Sequence, residues 1–298
     1  MTRATLLTLT APTTASAGSA HSAGFASVDA DAPQVNLMDL GLTRGDGVFE
    51  TISVVDGHPQ ALEPHLERLA HSAELLDIAE PDLTLWRDAV LAGIAENRPL
   101  NPGTRELFAK LILTRGVEGS GSPSGWVYVA PAEDFAAARE GIRVVTLDRG
   151  YAHDVAETSP WLLAGAKTLS YATNRAALRE ASRRGADDVI FISSDGFVLE
   201  GPTSNVIVLG GDTVRTPQTD QGILAGTTQA SVFEFFAQRG LSTSYERITA
   251  DELVAADAIW LVSSVRQAAP VTQLDGEPLG VDAGLTAALN EFLLSRTS

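Results

Sequence analysis

The sequence predicts an α+β protein in two lobes, and three observations carry that prediction. Its 298 residues exceed the roughly 100–200 residues of a single domain. Short alternating runs joined by Asp-Gly turns mark β-hairpins, and longer 3.6-period segments set among them mark helices.

Residues 1–30, rich in Ala, Ser and Thr, read as an N-terminal extension that frays. Ala15-Ser16-Ala17 has the look of an export cleavage site. However, Leu6-Leu7-Thr8-Leu9 is too short for the apolar part of a signal, so a cytoplasmic protein is expected. Residues 31–135 form the smaller expected domain. In it Val48 to Val55 alternates as a strand, and Asp56-Gly57 turns the chain toward Ala61-Leu62. Pro64 to Asp77 sets Leu66, Leu69, Ala73 and Leu76 at helical spacing, and a second helix is predicted over Leu83 to Glu96. Leu107 to Leu113, Trp126 to Ala130 and Ile142 to Leu147 are β-prone runs separated by Gly, Pro and Ser, as in an antiparallel sheet.

The boundary is expected between Pro131 and Glu140, with residues 136–298 as the larger domain. There a helix over Tyr171–Arg184 precedes a strand Val189–Ser193, an Asp195-Gly196 turn, and strands Phe197–Glu200 and Asn205–Leu209. Helices over Thr228–Arg239 and Asp282–Leu294 flank a strand Ala258–Val262. No repeat of fixed period is evident.

Composition narrows the function. A formal charge of -17, from 21 basic and 38 acidic residues, lacks the basic face that a nucleic-acid backbone requires. No run reaches the ~18 apolar residues of a membrane helix. Without cysteine there is no disulfide, thiolate nucleophile or Cys-ligated zinc. The five histidines are scattered; His65 and His71 share a predicted helix but stand six apart, not four, so no metal site is expected. Nucleophile-elbow, P-loop and dinucleotide-binding patterns are all missing.

One bias stands out. Of the 21 basic residues only Lys110 and Lys167 are lysines. Arginine supplies charge equally well but cannot form a Schiff base, so each lysine invites a chemical question. Lys167 lies in Trp161-Leu162-Leu163-Ala164-Gly165-Ala166-Lys167-Thr168-Leu169, where desolvation would lower its amine pKa. The same context also suits a lysine snorkelling from a strand end. Lys110, inside an alternating strand, reads as structural.

Four ordered segments now combine. Gly45-Asp46-Gly47-Val48-Phe49-Glu50-Thr51, His65-Leu66-Glu67-Arg68-Leu69, Lys167-Thr168-Leu169-Ser170-Tyr171 and Glu200-Gly201-Pro202-Thr203-Ser204-Asn205 resemble the fold-type IV pyridoxal-phosphate enzymes, the branched-chain-aminotransferase-like or class IV aminotransferase family. The resemblance spans roughly residues 35–275. It implies a two-lobed α+β fold with a cofactor cleft between the lobes, a small-molecule substrate and a homodimer. By the same likeness Lys167 matches the Schiff-base lysine, and Glu200 the carboxylate that keeps the pyridine nitrogen protonated. Arg68 matches the phosphate-binding arginine, and Gly226-Thr227-Thr228 the helix-opening turn that holds the same phosphate. Thr203, Ser204, Asn205 and Tyr171 fall in the implied cofactor pocket. Read alone, Glu200 would be a surface carboxylate, Arg68 a solvated helix residue, and Gly226-Thr227-Thr228 a helix cap.

Within the family, Leu42 to Thr51, Ala166 to Ala172 and Trp260 to Arg266 most resemble the actinobacterial aminodeoxychorismate lyases. That likeness implies conversion of 4-amino-4-deoxychorismate to 4-aminobenzoate and pyruvate, a step of folate biosynthesis. Transamination of D-amino acids or branched-chain L-amino acids is the alternative, and a non-catalytic binding protein on the same fold a remoter one. The D-amino-acid enzymes carry an Arg-x-His trap after a Thr-Arg-Gly turn. Here Thr114-Arg115-Gly116 is present, but Val117 to Gly125 holds neither Arg nor His. Arg44, Arg105, Arg115 and Arg266 are the candidate partners for substrate carboxylates.

Overall fold

The computed structural model describes residues 3–10, 12–13 and 24–297, and Ala15-Ser16-Ala17 lies outside them. The chain divides into two compact units. The first runs to Glu133 and also takes Ala166–Tyr171; the second holds Asp134–Gly165 and Ala172–Arg296.

The first unit contains strands β1 (Thr5–Leu9) and β2 (Phe25–Val28), helix α1 (Leu40–Arg44), strands β3 (Gly47–Val55) and β4 (His58–Pro59), helices α2 (Leu62–Leu75) and α3 (Leu83–Asn97), and strands β5 (Glu106–Thr114) and β6 (Ser124–Pro131). Its antiparallel sheet has the order β2-β1-β6-β5-β3-β4. Alternation gives the sheet two different faces. Val48, Glu50, Ile52 and Val54 of β3 are buried, as are Leu107, Ala109, Leu111 and Leu113 of β5. Leu66, Leu69 and Ala73 of α2 and Trp86, Ala89, Val90 and Ile94 of α3 are buried with them. Phe49, Thr51, Phe108, Lys110, Ile112 and Tyr128 occupy the opposite, half-exposed face. α3 starts where Asp82 caps the amides of Thr84 and Leu85, as its short acceptor side chain favours.

The N-terminal expectation is corrected. Thr5–Leu9 pairs with β6 along five residues, burying Leu7 and Leu9, so this part of residues 1–30 is sheet rather than frayed extension. Leu6-Leu7-Thr8-Leu9, too short for a signal, is long enough for one strand.

The second unit contains α4 (Ala136–Glu140), β7 (Ile142–Asp148), α5 (Val155–Thr158), α6 (Ala172–Arg183), β8 (Asp188–Ile192), β9 (Asn205–Gly210), β10 (Thr213–Pro217), α7 (Thr227–Ala237), β11 (Ser242–Glu246), α8 (Ala250–Val254), β12 (Ala258–Ser263), β13 (Gln267–Leu274), β14 (Glu277–Pro278) and α9 (Ala283–Ser295). Its mixed sheet runs β11-β10-β9-β12-β13-β7-β8, with β14 beside β13. One face buries Ile207, Trp260 and Val262 with Phe235 and Phe236 of α7 and Leu289 and Leu293 of α9. The other buries Val206, Val208, Ile259 and Leu261 with Ile142, Ile190 and Leu253. β12 is thus apolar on both faces, which explains why Ala258–Val262 reads as a continuous apolar run.

Three further expectations shift. Ile142–Leu147, read with the first lobe's antiparallel sheet, is β7 of the second unit and runs parallel to both its neighbours, β13 and β8. Phe197–Glu200 returns from the Asp195-Gly196 turn as bridges rather than a regular strand, because Val198 donates its N–H to Ile248 O while Leu199 donates to Phe191 O. Lys167, expected within the larger domain, sits in the first unit. Thr168 bridges Val48, Phe49 N donates to Lys167 O at 3.0 Å and Leu169 N donates to Gly47 O at 2.8 Å, so this short segment extends the β3 edge.

Candidate active site

In the first unit the Gly45-Asp46-Gly47 motif seats the lysine segment. Gly45 adopts φ 69° at the end of α1, and a Cβ there would stand 2.6 Å from Ser170 Oγ. A Cβ on Gly47 would meet Leu169 Cδ1 at 2.8 Å. Asp46, between them, receives Arg115 Nε at 2.7 Å.

Lys167 is half-buried, with its backbone N–H donated to Ser72 Oγ of α2 at 3.1 Å. Its Nζ lies 4.7 Å from the centroid of the Phe49 ring. Tyr171 packs edge-on against the same ring at 5.4 Å. The expected Schiff-base lysine and Tyr171, expected in the cofactor pocket, therefore share one aromatic platform.

Arg68 is not a solvated helix residue. Its side chain is 9 % exposed, and it donates from Nε to Glu50 Oε1 at 2.7 Å and from Nη2 to Glu50 Oε2 at 2.8 Å. His65 Nδ1 lies 2.7 Å from the same Oε2. Burial by itself would raise the Glu50 carboxyl, but the Arg68 charge and the hydrogen bonds from Arg68 and His65 outweigh it and hold the group well below the usual carboxylate range. A carboxylate only accepts, so His65 donates from Nδ1 as the neutral tautomer. Burial lowers the His65 pKa, and only in part do the Glu50 charge and hydrogen bond oppose it; the Arg68 and Lys167 charges add to the lowering. The guanidinium expected to grip phosphate is thus engaged by Glu50 through Nε and Nη2.

The second unit holds the other candidates. Glu200 accepts from Leu224 N at 3.1 Å, while Asn205 Nδ2 donates to Leu224 O at 2.8 Å. These two bonds tie the Glu200–Asn205 loop to the lead-in of α7. Gly226 caps that helix, and a Cβ on it would stand 2.1 Å from Asn205 Oδ1, so glycine alone fits. Ser204 is buried and its Oγ has no hydrogen-bond partner. Thr203 is exposed, Thr227 half-buried and Thr228 buried.

The four candidate arginines have different fates. Arg44 is exposed at the end of α1, beside Gly45, whose carbonyl accepts from Ser170 Oγ at 3.2 Å. Arg115 donates to Asp46 through Nε and Nη2 and to the carbonyls of Leu76 and Asp77, which braces the end of α2. Arg105 pairs with Asp56 at 3.3 Å, at the far end of β3 from Phe49 and Lys167. Arg266, in the second unit, donates to buried Asp188 at 2.6 Å, while its Nε and Nη2 are buried without a partner.

Glu50, His65, Ser72 and Phe49 escaped role assignment in the sequence. A signal existed for two of them: Glu50 is an acidic residue at an inward-facing position of an apolar strand, and His65 and Arg68 stand three apart on one helix face. Ser72 carried no such mark.

Each unit by itself offers groups whose chemistry suits pyridoxal phosphate. The first has the Arg68 guanidinium, which suits a phosphate, and the Lys167 amine. The second has the Glu200 carboxylate, the N-terminus of α7, and a buried Ser204 hydroxyl without a partner, an orphan that a polar ligand would satisfy.

Comparison with known proteins agrees. The amino-transferase class IV family model matches residues 47–274. The chain is 44 % identical over 256 residues to the bifunctional aminodeoxychorismate lyase / D-amino acid transaminase of Mycobacterium tuberculosis, covering 83 % of this chain and 88 % of that protein. Among solved structures it is similar to the fold IV-transaminase CpuTA1 of Curtobacterium pusillum, with TM-score 0.95 and 71 % identity over 99 % of this chain and 100 % of that one. It is also similar to the PLP-bound form of a hypothetical aminotransferase from Mycobacterium tuberculosis, with TM-score 0.85 and 42 % identity over 91 % and 96 % of the two chains. The chain belongs to the class IV aminotransferase family, on the two-lobed α+β architecture of fold type IV, and pyridoxal phosphate is its cofactor.

Proposed function

We propose that the chain cleaves 4-amino-4-deoxychorismate to 4-aminobenzoate and pyruvate. The observation that carries this reading is the spent turn at Thr114-Arg115-Gly116. Residues 117–125 hold neither Arg nor His, and Arg115 is committed to Asp46 and two carbonyls, so the turn offers no cation to trap an amino acid's carboxylate. The likeness to a relative described as a lyase as well as a transaminase supports it.

Bound pyridoxal phosphate supplies an electron sink for the substrate carbon that bears nitrogen. Lys167 would hold the cofactor, and its freed Nζ would take the proton from that carbon. Glu200 would keep the pyridine nitrogen protonated. Arg68, fixed by Glu50, would supply a cation for the phosphate, and the N-terminus of α7 is the second unit's candidate for the same group. The electron pair left on the ring would expel the enolpyruvyl oxygen, the ring would become aromatic, which makes the cleavage favourable, and the released enolpyruvate would take up a proton to become pyruvate. A homodimer acting in the cytoplasm on this small molecule belongs to the same proposal.

A second reading, transamination of D-amino acids, is favoured by the other half of that relative's description and by the likeness to CpuTA1. One assay separates them. Holoprotein given enzymatically generated aminodeoxychorismate, with no 2-oxo acid added, should release 4-aminobenzoate. No release, together with amino transfer from D-alanine to 2-oxoglutarate, would replace the first reading by the second.

A further inference from the structure

Both lysines of this chain lie over one aromatic ring. Lys167 Nζ is 4.7 Å and Lys110 Nζ 6.0 Å from the Phe49 centroid. The sheet register brings this about. Lys110 of β5 stands opposite Thr51, two residues from Phe49, so its side chain emerges on the Phe49 face. Phe49 N donates to Lys167 O, which puts Lys167 against the opposite edge of β3. Phe49 therefore stands between the two lysine-bearing segments, in a chain that fills its other 19 basic positions with arginine.

The two amines are separated by no more than the sum of their distances to the ring. Both lysines are half-buried, and like charges within that separation repel more than they would in bulk water. Of the other charged groups near Lys167, those on α2 are balanced. From α2 come His65, held neutral, and Arg68, whose charge Glu50 of β3 offsets. Tyr171 lies on the lysine's own segment, and Arg44 on α1 is exposed to solvent. Among the described residues no carboxylate forms an ion pair with Lys110. The Phe49 ring attracts each ammonium group separately, so its pull on Lys167 does not depend on the Lys110 charge.

We infer that Lys110 tunes Lys167: its unneutralised charge, brought alongside by Phe49, lowers the proton affinity of the Lys167 amine and so enlarges the neutral, nucleophilic fraction near pH 7. The catalytic meaning rests on Lys167 being the cofactor lysine. Lys110 itself touches no reacting atom in this scheme. It acts through the field that it places at Lys167 Nζ.

Having only two lysines makes the test direct. Reductive methylation of the full-length apoprotein with carbon-13 formaldehyde labels Lys110, Lys167 and the N-terminal amine, and each titration can be followed by NMR. In Lys110→Met the Lys167 midpoint should rise by at least about half a pH unit, a roughly threefold smaller neutral fraction. Lys110→Arg, which keeps the charge, should leave it near the wild-type value. An unchanged midpoint in Lys110→Met, or an equal rise in Lys110→Arg, overturns the inference. Should Lys110→Met fail to fold, the wild-type titration decides: coupled lysines each show the other's step, and two independent single-step curves overturn it. Borohydride reduction of wild-type holoprotein followed by peptide mapping reports separately whether the cofactor is attached at Lys167; attachment elsewhere removes the catalytic premise while leaving the measured coupling intact.

Discussion

Glu50 and Arg68 meet through two parallel hydrogen bonds of 2.7 and 2.8 Å, with the carboxylate wholly buried between sheet and helix. Removing one partner of such a pair leaves the other charge uncompensated, which costs roughly 3–5 kcal/mol. Glu50→Gln should therefore lower stability by about that amount in urea unfolding. It should also weaken uptake of pyridoxal phosphate more than that of pyridoxal, because Arg68 loses the group that aims it. Equal weakening of both ligands would mean that Glu50 serves folding alone.

The same cluster sets a pH dependence. Glu50 titrates below its unfolded value of 4.5, so its contribution is present above that pH and is lost as pH falls beneath it. His65, lowered from 6.5, stays neutral in the fold while the unfolded chain takes up a proton, so stability also declines as pH drops through 6.5. Both act in one direction. Urea midpoints should be highest above pH 6.5 and fall in two stages toward pH 4, and His65→Gln should flatten the upper stage. A flat profile for the wild type between pH 7 and 4 would contradict this account.

Lys167→Ala tests the amine itself. The variant should fold normally, lose the visible absorbance of the lysine-bound cofactor, and lose turnover by at least a factor of about 100–10,000, the range ascribed to a positioned general base. Normal turnover in this variant would move the chemistry to another residue.

Gly226 has no space for a methyl group, since a Cβ would stand 2.1 Å from Asn205 Oδ1. Gly226→Ala must shift Asn205 or the start of α7, at a cost of roughly 1–3 kcal/mol. Cofactor titration should show weaker binding of pyridoxal phosphate. Unaltered affinity would indicate that the phosphate is held away from this turn.

Arg115 and Arg105 form a matched pair of controls. Arg115 serves Asp46 and two α2 carbonyls, and Arg115→Ala should cost about 1–3 kcal/mol by thermal unfolding. Arg105 and Asp56 are both more than half exposed, so Arg105→Ala should change stability by less than about 1 kcal/mol and leave turnover intact. A large loss of turnover in Arg105→Ala would restore it as a substrate ligand.

What depends on local pattern was legible in the residues alone: the hairpin turn at Asp56-Gly57, the helices whose apolar residues recur every three or four positions, and the ordered motifs that mark a class IV aminotransferase. Local pattern could not determine long-range pairing. Leu6-Leu7-Thr8-Leu9 becomes a strand only because β6 offers its edge, and Lys167 joins the first unit only because β3 offers its own. The buried Glu50–His65–Arg68 cluster, and the approach of Lys110 to Phe49, likewise depend on which strand and helix lie side by side. Pattern fixes the face a side chain emerges from; tertiary pairing fixes the charge it meets there, and that charge decides whether an arginine is aimed, spent or free to move.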